Sequence, residues 1–193
     1  MSNSKTVLDE TPFQTAGPFL HIGCLPNAIN IEGIFDTDLG VKPFANKDYD
    51  KFITITGSVF DGDGKALDDI MLESWQSDEN GVYSPECGFA RFVPDSLTKK
   101  FNLYTLKPGF MNNIDGKAQS PHILLSISSR GLNMTLNTRI YFEGDDLTND
   151  PLLSNVKNSS NDVSSLIAKK IDADIYLFDI FLQGDRETIF LDI

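Results

Sequence analysis

Positive charge is scarce in this chain. Lys and Arg number 16 against 28 Asp and Glu, a net charge of −12 with His neutral. Such a surface repels phosphate backbones and anionic lipid, which makes nucleic acid and a membrane surface poor partners. An anionic ligand would need a local arginine or a more basic partner subunit. Histidine is scarcer still: only His21 and His122 are present, and no HxD or HxxxH spacing occurs. Cys24 and Cys87 are the only cysteines, far apart and without a CxxC pair. They form neither a disulfide framework nor a zinc ribbon nor a redox motif, and a reducing cytoplasm is the expected setting. No apolar run approaches the about 18 residues that read as a membrane span. Residues 1–10 have no apolar core and no cleavage site, so they read as a flexible N-terminal arm rather than a signal peptide.

What is present is a globular, strand-forming chain. Hydrophobic residues make up 40% of 193, enough for the core of one domain, expected over 11–193. Residues 52–60 alternate Ile and Thr as a strand does, and Asp61-Gly62-Asp63-Gly64 then turns the chain. That turn imitates part of a calcium loop but lacks the EF-hand spacing and its final Glu. Residues 70–76 carry the single Trp75 in a strand that reads as core, and 101–106 form another strand, stopped by Lys107-Pro108-Gly109. Residues 122–128 and 134–142 read as two strands around the turn Ser129-Arg130-Gly131-Leu132-Asn133. Strands are also expected at 175–182 and 187–191. Residues 27–50 and 112–118 read as loop, and 11–23 as a loop lying on the core or crossing to a partner. A short helix fits 151–156, and a longer one 162–171, where Val163, Leu166, Ile167 and Ile171 share a face. Many short strands with turns between them spell an all-β sandwich or barrel, with no repeat and no linker.

Nine motif blocks follow one another along this pattern. The first is Thr11-Pro12-x-Gln14-Thr15-x-Gly17-Pro18 followed by His21-Ile22-Gly23. Next come Gly57-x-Val59-x-Asp61-Gly62-x-Gly64, Glu73-x-Trp75-Gln76-x-Asp78-x-x-Gly81-x-Tyr83 and Thr105-x-Lys107-Pro108-Gly109. Pro121-His122-Ile123, Arg130-Gly131, Thr138-Arg139-x-Tyr141-Phe142 and Asn149-Asp150-Pro151-x-Leu153 follow. The last is Gln183-Gly184-x-x-Glu187-Thr188-x-Phe190-x-Asp192. In this order the chain resembles the intradiol ring-cleaving dioxygenases, from about residue 11 to the C-terminus. The likeness is to the alpha-type chain of members built from two related subunits.

The resemblance implies an intradiol dioxygenase-like β-sandwich with one short helix and long loops. It implies an Fe(III) cofactor held by two Tyr and two His, a catechol substrate bearing a carboxylate, and O2 as co-substrate. It implies a beta subunit as partner, in a larger (αβ)n assembly. Of the ligand set, Tyr83 and His122 remain, while Met111 and Leu124 stand at the other two positions. Gln119 and Arg139 stand where iron-bearing chains have Arg and Gln. Neither Met nor Leu offers a hard anionic or imidazole donor. The chain is therefore expected to hold no metal, with Tyr83 and His122 as vestigial metal-site positions and the Fe(III) on the partner beta subunit. No catalytic residue is expected in this chain alone. By the same resemblance Thr15, Gly17, Pro18 and Arg130 line the partner's substrate site. The plainer roles stay open: Arg130 as a solvated or ion-paired turn arginine, Tyr83 and His122 as satisfied packing residues, Arg139 as a structural ion-pair residue. Residues 84–100 form a shorter loop than the family usually has. Two other functions remain: a non-catalytic β-sandwich binding module, and a self-sufficient intradiol dioxygenase acting on another catechol.

Overall fold

A computed structural model describes residues 14–17, 19–45, 52–112, 116–158 and 162–192. The expected arm at 1–10, and Thr11, Pro12, Phe13 and Pro18 of the N-terminal block, lie outside those residues. The first strands are β1 (Phe52–Gly57), β2 (Val59–Phe60), β3 (Ala66–Leu67), β4 (Ile70–Gln76), β5 (Phe89–Phe92) and β6 (Phe101–Leu106). Then come β7 (Met111–Asn112), β8 (Ala118–Gln119), β9 (Ile123–Ser129) and β10 (Leu136–Phe142). The last are β11 (Ile167–Asp172), β12 (Ile175–Leu177) and β13 (Ile180–Phe181). Two helices, α1 (Phe19–Cys24) and α2 (Pro151–Asn158), stand among them.

Eight strands form one sheet in the order β5-β4-β9-β10-β11-β12-β1-β6, with β13-β2-β3 and β7-β8 as smaller sheets. Ile53 and Ile55 of β1 and Phe101 and Leu103 of β6 share one buried cluster with Ile70 and Leu72 of β4 and Ile123, Leu125 and Ile127 of β9. Strands far apart in the sheet order thus meet over one core, so the sheet curls back on itself as an all-β fold. Alternation then decides what faces outward. Along β9, Ile123, Leu125 and Ile127 point into the core, and Leu124, Ser126 and Ser128 do not. On the same outer face stand Trp75, directly opposite Leu124 on one side, and Arg139, directly opposite it on the other. Trp75 is therefore half-exposed rather than in the core, and lies stacked on Tyr83.

Strands at 70–76 and 101–106 stand as expected, and 151–156 is helical within α2. Residues 162–171 are not a helix. Asp162 caps a single 3-10 turn, Val163–Leu166, by accepting from Ser164 N at 2.9 Å. The chain then enters the sheet, Ile167 and Ala168 pairing parallel with Tyr141 and Phe142. Ile171, which would have completed a helical face, is 57% exposed. A free sheet edge satisfied these backbone groups, and the helical period had no apolar surface to rest on.

The expected strand at 52–60 breaks at Ser58, whose N–H donates to Asp179. The strand at 175–182 breaks beside it, so the two segments cross together from the large sheet to the small one. Gly57 is required at this crossing, because a Cβ there would collide with the Phe178 carbonyl. Residues 187–191 form no strand. Thr188 N donates to Phe181 and Leu191 N to Asn137, so the segment bonds to separate elements rather than to one ladder. The loops expected at 11–23, 84–100 and 112–118 contain α1, β5, and parts of β7 and β8.

Candidate functional site

The residues singled out from the sequence fall at two ends of β9. His122 precedes its first residue and Arg130 follows its last. At about 3.3 Å per residue they lie roughly 25 Å apart.

At the first end, His122 is 1% exposed. Its Nδ1 donates to the Ser120 carbonyl at 2.8 Å, which fixes the neutral tautomer. Burial and, next, the nearby Arg139 guanidinium push its pKa down to about 4, against the opposing pull of the Ser120 carbonyl and Asp150. Its ring lies 5.7 Å from that of Tyr141. The Tyr141 hydroxyl donates to Asp150 Oδ1 at 3.1 Å and accepts from Arg139 Nη1 at 3.2 Å. Burial raises the Tyr141 phenol well above its usual range, more than Arg139 lowers it. Tyr83 is likewise raised by burial, with Arg139 again opposing. Both phenols therefore stay protonated.

Asp150 organises this end, a role that its motif alone did not reveal. Its carboxylate, 1% exposed, accepts from Ser120 N at 3.0 Å, Leu152 N at 3.0 Å and Leu153 N at 3.1 Å, besides Tyr141. The Leu152 and Leu153 bonds cap α2, just ahead of Pro151, while the Ser120 bond sets the chain's entry towards His122. A carboxylate directly before a proline-started helix was the available signal.

The donor set does not suit ferric iron. Tyr83 and His122 offer one phenol and one imidazole. Met111 on β7 lies opposite Gln119 on β8, and Leu124 opposite Arg139. A thioether and an isobutyl group supply no hard donor. Arg139 bonds to Gln119 Oε1 at 3.1 Å and to Tyr141, and forms no ion pair among the described residues. Among the described residues its Nε is buried without a partner.

At the second end, the N-terminal block is clasped to the turn after β9. Thr15 Oγ1 accepts from Gly131 N at 2.7 Å and donates to the Ser129 carbonyl at 3.4 Å. Thr15, Gly17 and Arg130 are thus gathered on one exposed edge, while Pro18 lies outside the described residues. Arg130 is 75% exposed and pairs with Asp69 at 2.6 Å. Gly17 has no positive φ and nothing within 4 Å of where a Cβ would stand, so nothing in this chain demands a glycine there. Gly131 is different: its φ of +94° is one that side chains rarely adopt.

A family model described as Dioxygenase matches residues 30–184. The chain is 37% identical to the protocatechuate 3,4-dioxygenase alpha chain of Pseudomonas putida, over 96% of its own length and 98% of that protein. It is 31% identical to the chain of the same name from Burkholderia cepacia, over 97% and 100%. Among solved structures, the fold is similar to the dioxygenase domain of a dioxygenase carbohydrate-binding protein fusion from Streptomyces sp. SirexAA-E. There the TM-score is 0.56 at 19% identity, covering 90% of this chain and 99% of that one. Chlorocatechol 1,2-dioxygenase from Pseudomonas putida gives a TM-score of 0.57 at 18% identity, covering 74% and 64%. With its curled sheet, its motif order and these full-length relatives, the chain belongs to the intradiol ring-cleaving dioxygenase family.

Proposed function

We propose that this chain is the alpha subunit of a protocatechuate 3,4-dioxygenase, forming one wall of an active site whose Fe(III) is held by a beta subunit. The enzyme cleaves 3,4-dihydroxybenzoate with O2 between its two hydroxyl-bearing carbons, yielding 3-carboxy-cis,cis-muconate, and the ferric ion supplies the redox chemistry. The observation that carries this reading is the contrast between the ends of β9. One end keeps the remnant of a ligand set without its donors. The other ties Thr15 to the turn that carries Arg130, both exposed, with Gly17 two residues along the chain.

The chain's own work is recognition. Arg130 offers a planar, permanently charged fork to the substrate carboxylate and so orients the ring. That charge also offsets the repulsion from a surface carrying −12. Gly17 leaves a bare backbone edge against which an aromatic ring can lie. Thr15 holds the N-terminal block at the correct distance from the turn. The assembly is an (αβ)n oligomer, and the two free cysteines suit a reducing cytoplasm. Among the described residues no helix is long and apolar enough to cross a membrane.

The test is to purify the chain alone and co-expressed with a beta chain carrying both tyrosines and a His-x-His pair. The isolated chain should be colourless and inactive, and the complex should hold a single iron per αβ pair and turn over. A phenolate-to-iron absorption band with ring cleavage in the isolated chain would overturn the proposal.

A further inference from the structure

The side chains that surround Arg139 are unusual for a surface-strand arginine. Its cross-strand neighbour is Leu124. Its hydrogen-bond partner Gln119 stands directly opposite Met111 in the β7–β8 pair. Its other partner, Tyr141, has its ring 5.7 Å from that of His122. Its charge acts on the Tyr83 phenol and on the His122 imidazole alike. Leu124 is thus its direct cross-strand neighbour, Tyr83 and His122 lie within reach of its charge, and Met111 stands one step further off, opposite its partner Gln119. No carboxylate pairs with it among the described residues, and its Nε is buried without a partner. The nearest link to an acid runs through the Tyr141 hydroxyl to Asp150.

We propose that Arg139 is a resident cation that stands in the ligand ring where ligand-complete chains hold their metal, and that it excludes iron while keeping the ring folded. The Gln119 carboxamide and the Tyr141 phenol each offer it an oxygen lone pair. A guanidinium meets these with directed N–H groups and requires no deprotonated phenol. Loss of metal is then the exchange of one cation for another, not the simple decay of a site. This inference rests on the reading that the chain has no iron of its own.

Three forms of the co-expressed αβ complex test it: wild type, Met111→Tyr with Leu124→His, and the same pair with Arg139→Gln. Iron per αβ pair and the phenolate-to-iron band are measured. The expected result is one iron in the first two forms and two in the third. Two irons in wild type would overturn the function reading itself. Two irons with Arg139 still present, or no gain when Arg139 is replaced, would overturn only the role given to Arg139. A second measurement does not depend on the grafted ligands. The melting temperature of the Arg139→Ala complex should fall, and millimolar methylguanidinium should restore it saturably where equal sodium chloride does not. Equal responses to the two salts would refute a resident-cation role.

Discussion

Replacing Asp150 by alanine should be among the most damaging single changes at this end of the fold. The carboxylate accepts four hydrogen bonds from three segments: Ser120, Tyr141, and the first turn of α2 at Leu152 and Leu153. Losing the helix cap costs about 1 kcal/mol. The Ser120 N–H and Tyr141 hydroxyl are left buried without acceptors, at about 1–3 kcal/mol each. The whole loss is about 3–7 kcal/mol, towards the lower figure if water enters the vacated space. For a chain of this size, 3 kcal/mol corresponds to a melting temperature lower by about 6–12 °C. Asp150→Asn should be milder. Its carbonyl oxygen can keep the three donors that Oδ1 serves, and only Ser120 N then meets an amide instead of an acceptor. Calorimetric melting of the αβ complex reads both, with the exposed Asp146→Asn as control. An alanine variant melting within about 2 °C of wild type would refute this account. So would an asparagine variant as unstable as the alanine one, since the damage would then not follow the bond count.

Arg130→Ala should raise KM for 3,4-dihydroxybenzoate by about 10-fold to 150-fold, on about 1.5–3 kcal/mol for a charge-assisted bond. Stability should hardly change, because the lost pair with Asp69 is exposed; equal KM losses on plain catechol would mark Arg130 as an interface residue instead. His122 predicts acid sensitivity. Its folded pKa of about 4 lies below the unfolded value of 6.5, so between these pH values the unfolded chain binds more protons and stability falls as pH falls. The loss is about 3 kcal/mol in full by pH 4, and melting curves of His122→Phe should lack this part of the pH dependence.

The sequence by itself determined the all-β architecture and the family. The strands at 70–76 and 101–106 are short apolar runs bounded by turn residues, a signal that needs only near neighbours in the chain, and both stand where expected. Met111 and Leu124 disclose their missing donors by residue type alone. Elements whose state depends on a distant partner were not legible. Residues 162–171 carry a helical period, yet the edge beside Tyr141 and Phe142 drew Ile167 and Ala168 into the sheet. Ser58 and the Phe178-Asp179 step break two apparent strands because each segment bonds to a different sheet on either side. That His122 and Arg130 stand at opposite ends of one strand was legible from the run 122–128 and the turn after it. Only the tertiary structure shows that Thr15 reaches across the chain to Gly131. The same holds for Arg139, which strand register sets beside Leu124. Register is a relation between strands, and one residue of slip would have turned that side chain into the core.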